Sequence, residues 1–211
     1  MHCPLNKKNC KKINQKMFLN LGRLPRVDVL LSKKDLKKKE PLKPLKVFFC
    51  KKCFLVQHPA YTDPKDIFVK DYIYYSSTVS SWVQHCKKFV NQSIKRFSLT
   101  KESFVIEVAS NDGYLLQHFV KREIPCLGVE PSSGVIKEAK KKGVESINDF
   151  YNLKSSKKII KSYPKADLII ANNVLAHMPN LKEFINSSLL LLKDDGVIAI
   201  EVPHLLNLIK K

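Results

Sequence analysis

The 211-residue sequence contains no apolar run approaching the roughly 18 residues that a membrane-crossing helix needs, so no membrane partner is expected. Its first ten residues, MHCPLNKKNC, lack the apolar centre of a secretory signal. A cytoplasmic location follows by default, where six cysteines read as thiols or metal ligands rather than disulfides. Arginine is scarce. It occurs only at Arg23, Arg26, Arg96 and Arg122, although Lys+Arg total 38 and the net charge is +19. Specific nucleic-acid and phosphate sites favour arginine forks. The lysines instead scatter over solvated faces (Lys137, Lys140, Lys141, Lys142) and one loop, Lys33–Lys39. No specific nucleic-acid partner is expected, only weak attraction to polyanions. No internal repeat is present. No GxGxxG turn is present either, which favours a single nucleoside over a dinucleotide as ligand.

What the sequence does contain is organised around Val105–Gly113, VIEVASNDG. Phe104–Val108 is a short β-branched and aromatic run that reads as a buried strand ending at Glu107 and Val108. A small-residue turn follows, Ala109 and Ser110, then Asn111, Asp112 and Gly113, then helical spacing over Tyr114–Val120. Strand, tight turn and helix start is the layout that grips a nucleotide-like ligand in an open α/β sheet. Gly113 permits a backbone shape or a close approach that a side chain would block. Seventeen positions on, Glu130 closes a second apolar run, placed to suit ribose hydroxyls. The same residues also fit an ordinary strand–helix crossover.

From Phe104 onward, strands and helices alternate, which implies a parallel sheet. Strands are expected at Phe104–Ala109, Pro125–Glu130, Glu145–Ile147, Ala166–Asn172 and Val197–Val202. Helices are expected at Tyr114–Lys121, Ser133–Lys142 and Leu181–Lys193, with Asp194-Asp195-Gly196 turning into the last strand. Ligands of such sheets bind beyond the carboxyl ends of the strands. The polar residues there form one constellation: Asn111, Asp112, Gly113, Glu130, Asp149, Phe150, Asn172, Asn173, Glu201 and His204. Asp149 could accept from an exocyclic amine with Phe150 against a ring face. Each is also a common loop or cap residue. His177, just past the fourth strand, reads either as a general base or as a loop histidine.

Residues 1–58 form a small module holding four of the six cysteines. Cys50 and Cys53 make a CxxC pair able to share one tetrahedral zinc, and Cys3 and Cys10 are the candidates to complete it. So small a segment needs such a staple to fold. The other reading is reduced structural cysteines. Residues 59–100 bridge to the sheet domain, 101–211. The bridge carries the aromatic stretch Asp71–Ser77, DYIYYSS, and a helix over Ser80–Phe97. His85 and Cys86 read there as plain helix residues.

Seven segments together resemble the sugar C-methyltransferase family, enzymes that methylate carbon on nucleotide-linked keto-deoxysugars with S-adenosylmethionine. They are FLNLGRLP, CKKCFLVQ, DYIYYSS, EVASNDGYLL, LGVEPSSGV, ADLIIANNVLAHMPNL and LLKDDGVIAIEVPHLL, in that order through nearly the whole chain. The last five are specific as a set. The resemblance implies a zinc-binding module followed by a Rossmann-like class I methyltransferase sheet. It implies that the turn of Ala109, Ser110, Asn111, Asp112 and Gly113 holds the methionine part of the cofactor, with Glu107 also among the cofactor-binding residues. Glu130 would hold the ribose, and Asp149 with Phe150 the adenine, with Asn172 on the same rim. It aligns Cys3, Cys50 and Cys53 with zinc ligands and places the fourth near Asn6, so that Cys10 must substitute. It aligns Tyr72, Tyr74 and His177 with the sugar pocket.

The chain departs from the family in length. Family members run to about twice this size, and their tyrosine- and histidine-containing base motif follows the position of Leu206–Ile209. The expectation is therefore a fragment or split half. It would lack the base, the last two strands of the sheet and the C-terminal domain, and it would need a complementing chain. His177 and then Glu201 are the candidates if the base lies within the chain. The rival expectation is a non-catalytic zinc- and cofactor-binding interaction module.

Overall fold

The computed structural model describes residues 15–28, 30–59, 63–68 and 72–210. The chain divides into two units, Met1–Ile67 and Phe68–Lys211. The boundary puts most of the bridging segment 59–100 with the sheet.

In the first unit, β1 (Gln15–Leu24) pairs antiparallel with β2 (Lys43–Cys50), and β3 (Val56–Gln57) pairs with the other side of β2. One helical turn, α1 (Pro64–Ile67), follows. Sequence patterning does not reveal β1, because nearly all of it is exposed and no alternation marks a buried face. Cys50 is fully buried, with Cys53 and Leu55 packed on it. It is the only buried hydrophobic residue among the described residues of this unit. The CxxC turn closes tightly: the Phe54 N–H donates to the Cys50 carbonyl at 2.7 Å, and the Cys50 N–H to the Leu55 carbonyl at 3.0 Å. So small a core does not hold a hairpin by burial alone.

In the second unit, α2 (Ser80–Arg96) precedes an alternation of strands and helices. It runs β4 (Val105–Val108), α3 (Gln117–Val120), β5 (Cys126–Val129), α4 (Ser133–Lys141), β6 (Ser146–Ile147) and α5 (Leu153–Ser162). It continues with β7 (Ala166–Asn172), α6 (Leu181–Leu191), β8 (Leu192–Glu201) and α7 (Leu205–Lys210). All five strands are parallel, in the order β6-β5-β4-β7-β8. This is the expected α/β sheet. The chain winds outward from β4 in one direction and from β7 in the other, so the order reverses between these two strands. That reversal opens the crevice at their carboxyl ends.

Alternation along β4 sends Ile106 and Val108 to one face and Val105 and Glu107 to the other. The first face packs under α5 and α6 through Ile159, Phe184 and Leu191. The second packs under α2 and α3 through Cys86, Val90, Leu115 and Phe119. Both faces are covered, as a parallel sheet requires.

Three elements differ from the sequence-based reading. Helix α5 was not anticipated, because its lysine-rich stretch shows little apolar spacing. It is started by Asn152, whose side chain accepts from the Ser155 N–H while the Ser155 hydroxyl accepts from the Asn152 N–H, a capping box. Helix α3 is confined to one turn, because Tyr114, Leu115 and Leu116 are buried in the turns before it. Strand β8 starts at Leu192 and takes in Asp194-Asp195-Gly196, expected as a turn. Gly196 makes this possible: a Cβ there would stand 2.8 Å from the Ala166 carbonyl oxygen. Among the described residues no helix is long and apolar enough to cross a membrane.

Candidate functional site

The turn after β4 has an alternating backbone. Ala109, Asn111 and Gly113 lie in the left-handed region at φ +54°, +48° and +74°. Only Gly113 is free of the steric cost of that shape. Two strained residues out of three mean that surrounding contacts hold the turn, which is how strain is maintained at functional sites. Gly113 also sits close against α4, where a Cβ would meet Val144 Cγ2 at 3.0 Å and Ala139 Cα at 3.2 Å.

Those holding contacts come from Tyr74–Ser77. The Asn111 side chain accepts from the Ser76 N–H at 2.9 Å and donates to the Tyr74 carbonyl at 3.0 Å. Asp112 Oδ2 accepts from the Ser77 hydroxyl and from Lys142 Nζ at 2.9 Å. Lys142 Nζ also donates to the Asp112 carbonyl at 2.6 Å and to Ser77 Oγ at 3.1 Å. The aromatic stretch is thus bolted across the turn, with Lys142 as the pin. Sequence reasoning placed Lys142 on a solvated face, and this is corrected: the side chain is only 24% exposed and ion-paired to Asp112.

Glu130, at the end of β5, is 3% exposed. Its Oε2 accepts from the Asn111 N–H at 3.0 Å and its Oε1 from the Ser132 N–H at 2.8 Å. It therefore ties the β4 turn to the start of α4. A carboxylate accepts about four hydrogen bonds, so capacity for a ligand's hydroxyls remains. Burial pushes its pKa up despite the two backbone donors.

Glu107 is fully buried, and Tyr114 is the neighbour that favours its ionised form. Burial drives its pKa well above the ordinary range; Tyr114 offsets this in part, while Glu130 and Asp112 add to it. Buried polar atoms around the same strand ends are unpartnered: Ser110 Oγ, Asp112 Oδ1, Ser132 Oγ and Asn172 Nδ2. Buried polar groups are normally paired, and a cluster of unpaired ones at a crevice fits a polar ligand. Three acidic side chains lie together there, with Asp112 already paired to Lys142, and a cationic ligand group beside Glu107 would favour its ionised form.

On the β6 side, Asp149 accepts from the Phe150 N–H at 2.9 Å and pairs with Lys158 at 3.0 Å. Phe150 meets Phe68 edge-on at 6.5 Å between ring centroids, Phe68 meets Tyr72 at 5.4 Å, and Tyr72 meets Tyr74 at 6.5 Å. One aromatic file thus links the residues assigned to adenine with those assigned to the sugar pocket. Tyr74 is half exposed at its end. His177 ends a 3-10 turn, Leu175–His177, and is exposed.

One pair escaped the sequence altogether. His85 on α2 meets Glu201 at the end of β8, Nε2 to Oε2 at 2.8 Å. The His85 ring stacks on Trp82 at 5.1 Å, and Trp82 on Tyr114 at 6.0 Å. The i, i+3 spacing of Trp82 and His85 was the one signal available.

Among the described residues no group of three or more potential metal ligands comes together. Cys50 and Cys53 stand on one tight turn; Cys3 and Cys10 lie outside the described residues.

Comparison with known proteins defines the class and then the family. A profile described as "Methyltransferase domain" matches residues 82–209, and one described as "Putative zinc binding domain" matches residues 8–68. The parallel sheet with its ligand turn after the central strand is that of a class I methyltransferase. The chain belongs to the methyltransferase domain family. It is 31% identical over 192 residues to the C-methyltransferase NovU of Streptomyces niveus, a match covering 91% of this chain and 46% of that protein. The chain thus spans about half the length of the curated relative it matches. Among solved structures, an S-adenosylmethionine-dependent methyltransferase from Clostridium acetobutylicum superimposes with a TM-score of 0.46 at 18% identity, over 57% of this chain and 50% of that one. DesVI of Streptomyces venezuelae gives 0.45 at 18% identity, over 63% and 59%. Scores this low carry no conclusion about the site.

Proposed function

We propose that the chain is the cofactor-binding part of an S-adenosylmethionine-dependent C-methyltransferase acting on a nucleotide-linked keto-deoxysugar. The observation that carries this reading is the cluster of buried polar groups at the β4–β7 reversal, where Glu107, Asp112 and Glu130 lie together and Ser110 Oγ, Asp112 Oδ1, Ser132 Oγ and Asn172 Nδ2 have no hydrogen-bond partner. When bound, S-adenosylmethionine supplies a methyl group on positively charged sulfur. The chain's own residues hold and orient. Glu107 faces the ammonium of the methionine part, the left-handed turn at Ala109–Gly113 lets the backbone approach it, and Glu130 accepts from the ribose hydroxyls. Asp149 and Phe150 take the adenine, and Asn172 donates from the β7 side. Tyr72, Tyr74 and His177 contact the sugar. Similarity to a C-methyltransferase supports carbon as the methylated atom.

The same reading places further chain over the outer edge of β8. Ile200 near the end of β8, Val202 just after it, and Leu205 and Leu206 on α7 are exposed, an apolar surface that such further chain would cover.

The test is calorimetric titration with S-adenosylhomocysteine. Binding should weaken at least about tenfold in Glu130→Ala, the scale of one lost charge-assisted hydrogen bond. Absence of binding by a folded chain would sink this reading and favour a non-catalytic interaction module.

The proposal includes one zinc ion held by Cys50, Cys53, Cys3 and Cys10. Elemental analysis should find one zinc per chain. Cys53→Ser should abolish it, and a chelator should unfold the β1–β2 hairpin while the parallel sheet stays folded. Full zinc content in Cys53→Ser would remove the CxxC turn from the site.

A further inference from the structure

We infer that Ser77 and Lys142 are positioning residues that link the two ligand sites: a cofactor on the β4 turn clamps the Tyr72–Ser77 segment through them and presents Tyr72 and Tyr74 to the sugar. This rests on the proposed function above.

Burial does little to hold this segment in place. Ile73 and Tyr74 are exposed, and Ser76 alone of Tyr72–Thr78 is buried. Its position therefore depends on polar bonds, and a segment held in that way opens at low free-energy cost. Those bonds run to the ligand turn and to the lysine beside it. The Ser76 N–H donates to Asn111 Oδ1 at 2.9 Å, and Asn111 Nδ2 donates to the Tyr74 carbonyl at 3.0 Å. The Ser77 N–H reaches Asp112 Oδ2 at 3.4 Å, and the Ser77 hydroxyl donates to the same oxygen. Lys142, at the C-terminal cap of α4, spans the joint. Its Nζ donates to the Asp112 carbonyl at 2.6 Å, to Asp112 Oδ2 at 2.9 Å and to Ser77 Oγ at 3.1 Å.

Asn111 and Asp112 each face two ways. The Asn111 N–H donates to Glu130 Oε2, the carboxylate assigned to the ribose, while its side chain holds the segment. Asp112 gives Oδ2 to Ser77 and Lys142, while its Oδ1 is buried without a hydrogen-bond partner, as is Ser110 Oγ. The turn that joins these groups is strained, with Ala109 and Asn111 both left-handed. A ligand that pairs the buried atoms offsets the strain and stabilises the turn in this shape. The same shape aims both side chains at the segment, so the cofactor steadies the segment from the turn side. Tyr72 also lies one ring from the adenine side, meeting Phe68 at 5.4 Å, and Phe68 meets Phe150 at 6.5 Å. Both ends of the cofactor thus bear on one segment. By linkage the reverse holds, and a sugar on Tyr72 and Tyr74 tightens the cofactor.

Ser77 carries no proposed ligand contact, so it can be altered without removing one. Amide hydrogen exchange, resolved by NMR, reads the clamp without any sugar. The full chain is followed in deuterium oxide with and without saturating S-adenosylhomocysteine, and calorimetry gives each variant's affinity. In wild type the cofactor should slow exchange of the Ser76 amide about tenfold, within the usual range of coupling between sites. In Ser77→Ala the slowing should shrink below about twofold while cofactor affinity changes less than about threefold. Lys142→Met should lose the slowing too, and Lys142→Arg, which keeps a charged donor, should restore part of it. Should Lys142→Met fail to fold with Asp112 left unpaired, Ser77→Ala decides alone. S-adenosylhomocysteine should also tighten binding of a nucleoside diphosphate-linked keto-deoxyhexose about tenfold in wild type, and below about twofold in Ser77→Ala. With both ligands bound, the absence of slowing in wild type, or its retention in either folded variant, overturns the link and leaves the proposed function standing. Sugar affinity that ignores the cofactor in wild type does the same. Failure of the folded wild-type chain to bind either ligand overturns the proposed function and the link together.

Discussion

Glu107→Gln is expected to stabilise the ligand-free chain while removing most of its affinity for the cofactor. The two effects share one cause. Glu107 is fully buried in the central strand, and Glu130 and Asp112 lie nearby. Each of these disfavours its charged form. The sign follows from linkage. The folded-state pKa is raised, so the protonated side chain contributes stability that is fully present below the unfolded value of 4.5. That stability is lost as pH rises through the folded-state value. Near neutral pH the chain therefore either keeps a proton on Glu107 or loses stability by ionising it.

Glutamine has the same shape and no charge. Thermal melts between about pH 5 and about pH 8 should show Glu107→Gln losing less stability than wild type as pH rises, by about 1–3 kcal/mol at the upper end. Binding reverses the preference, because an ammonium beside Glu107 favours its ionised form. The wild type should release a proton on binding, seen as a titration enthalpy that varies with the ionisation enthalpy of the buffer. In Glu107→Gln that variation should vanish and affinity should fall about a hundredfold, the cost of leaving a buried charge without its partner. A variant that binds normally would make Glu107 a core residue and not a ligand group.

Gly128→Ala is expected to damage the site through the sheet. Gly128 is in β5, paired with Glu107 of β4 and Ser146 of β6. A Cβ there would lie 2.8 Å from Ser110 Cβ and 2.8 Å from Ser146 Oγ, with Ser110 Oγ closer still. Neither neighbour can retreat freely. Ser110 belongs to a turn already strained at Ala109 and Asn111, and Ser146 is inside a strand pair. The added methyl group must push the turn away from β5, although the position touches no proposed cofactor atom. Overpacking of this kind costs about 1–3 kcal/mol. Chemical denaturation should show that loss, and calorimetry should show S-adenosylhomocysteine affinity lowered at least about tenfold. If stability falls while affinity holds, the Ser110 turn is not part of the cofactor site.

Lys142 illustrates how reading by composition goes astray. It falls in a run of lysines that looks like solvated surface, yet its ammonium makes three contacts to Asp112 and Ser77. Asp112 in turn depends on that one cation, because its side chain is 2% exposed. The general discount of the charge still holds for lysines such as Lys141, whose side chain is 71% exposed in a surface pair with Glu138.

The elements around the site were legible because their signals are local. β-Branched runs ending in small and polar residues announce β4, β5 and β7, and the alternation of strands with helices announces a parallel sheet. Glu107, the Ala109–Gly113 turn and Glu130 were therefore placed correctly at strand ends from residues close in sequence. Helix α5 and strand β1 were not, because one starts from a side-chain capping box and the other buries neither face.

Only the tertiary structure decided which of these groups face one another. His85 and Glu201 are separated by 116 positions, and Ser77 and Lys142 by 65. What brings them together is strand order, register and the crossing of α2 over β8. These depend on packing both faces of the sheet at once, and no short window of sequence carries that information. The same holds for backbone strain. Nothing in the letters ASNDG requires Ala109 and Asn111 to be left-handed; the bonds from Tyr74, Ser76 and Glu130 impose it. Sequence by itself determined where polar chemistry meets strand ends. Tertiary packing decided which of those residues remain unpaired in the pocket and which are spent on holding it.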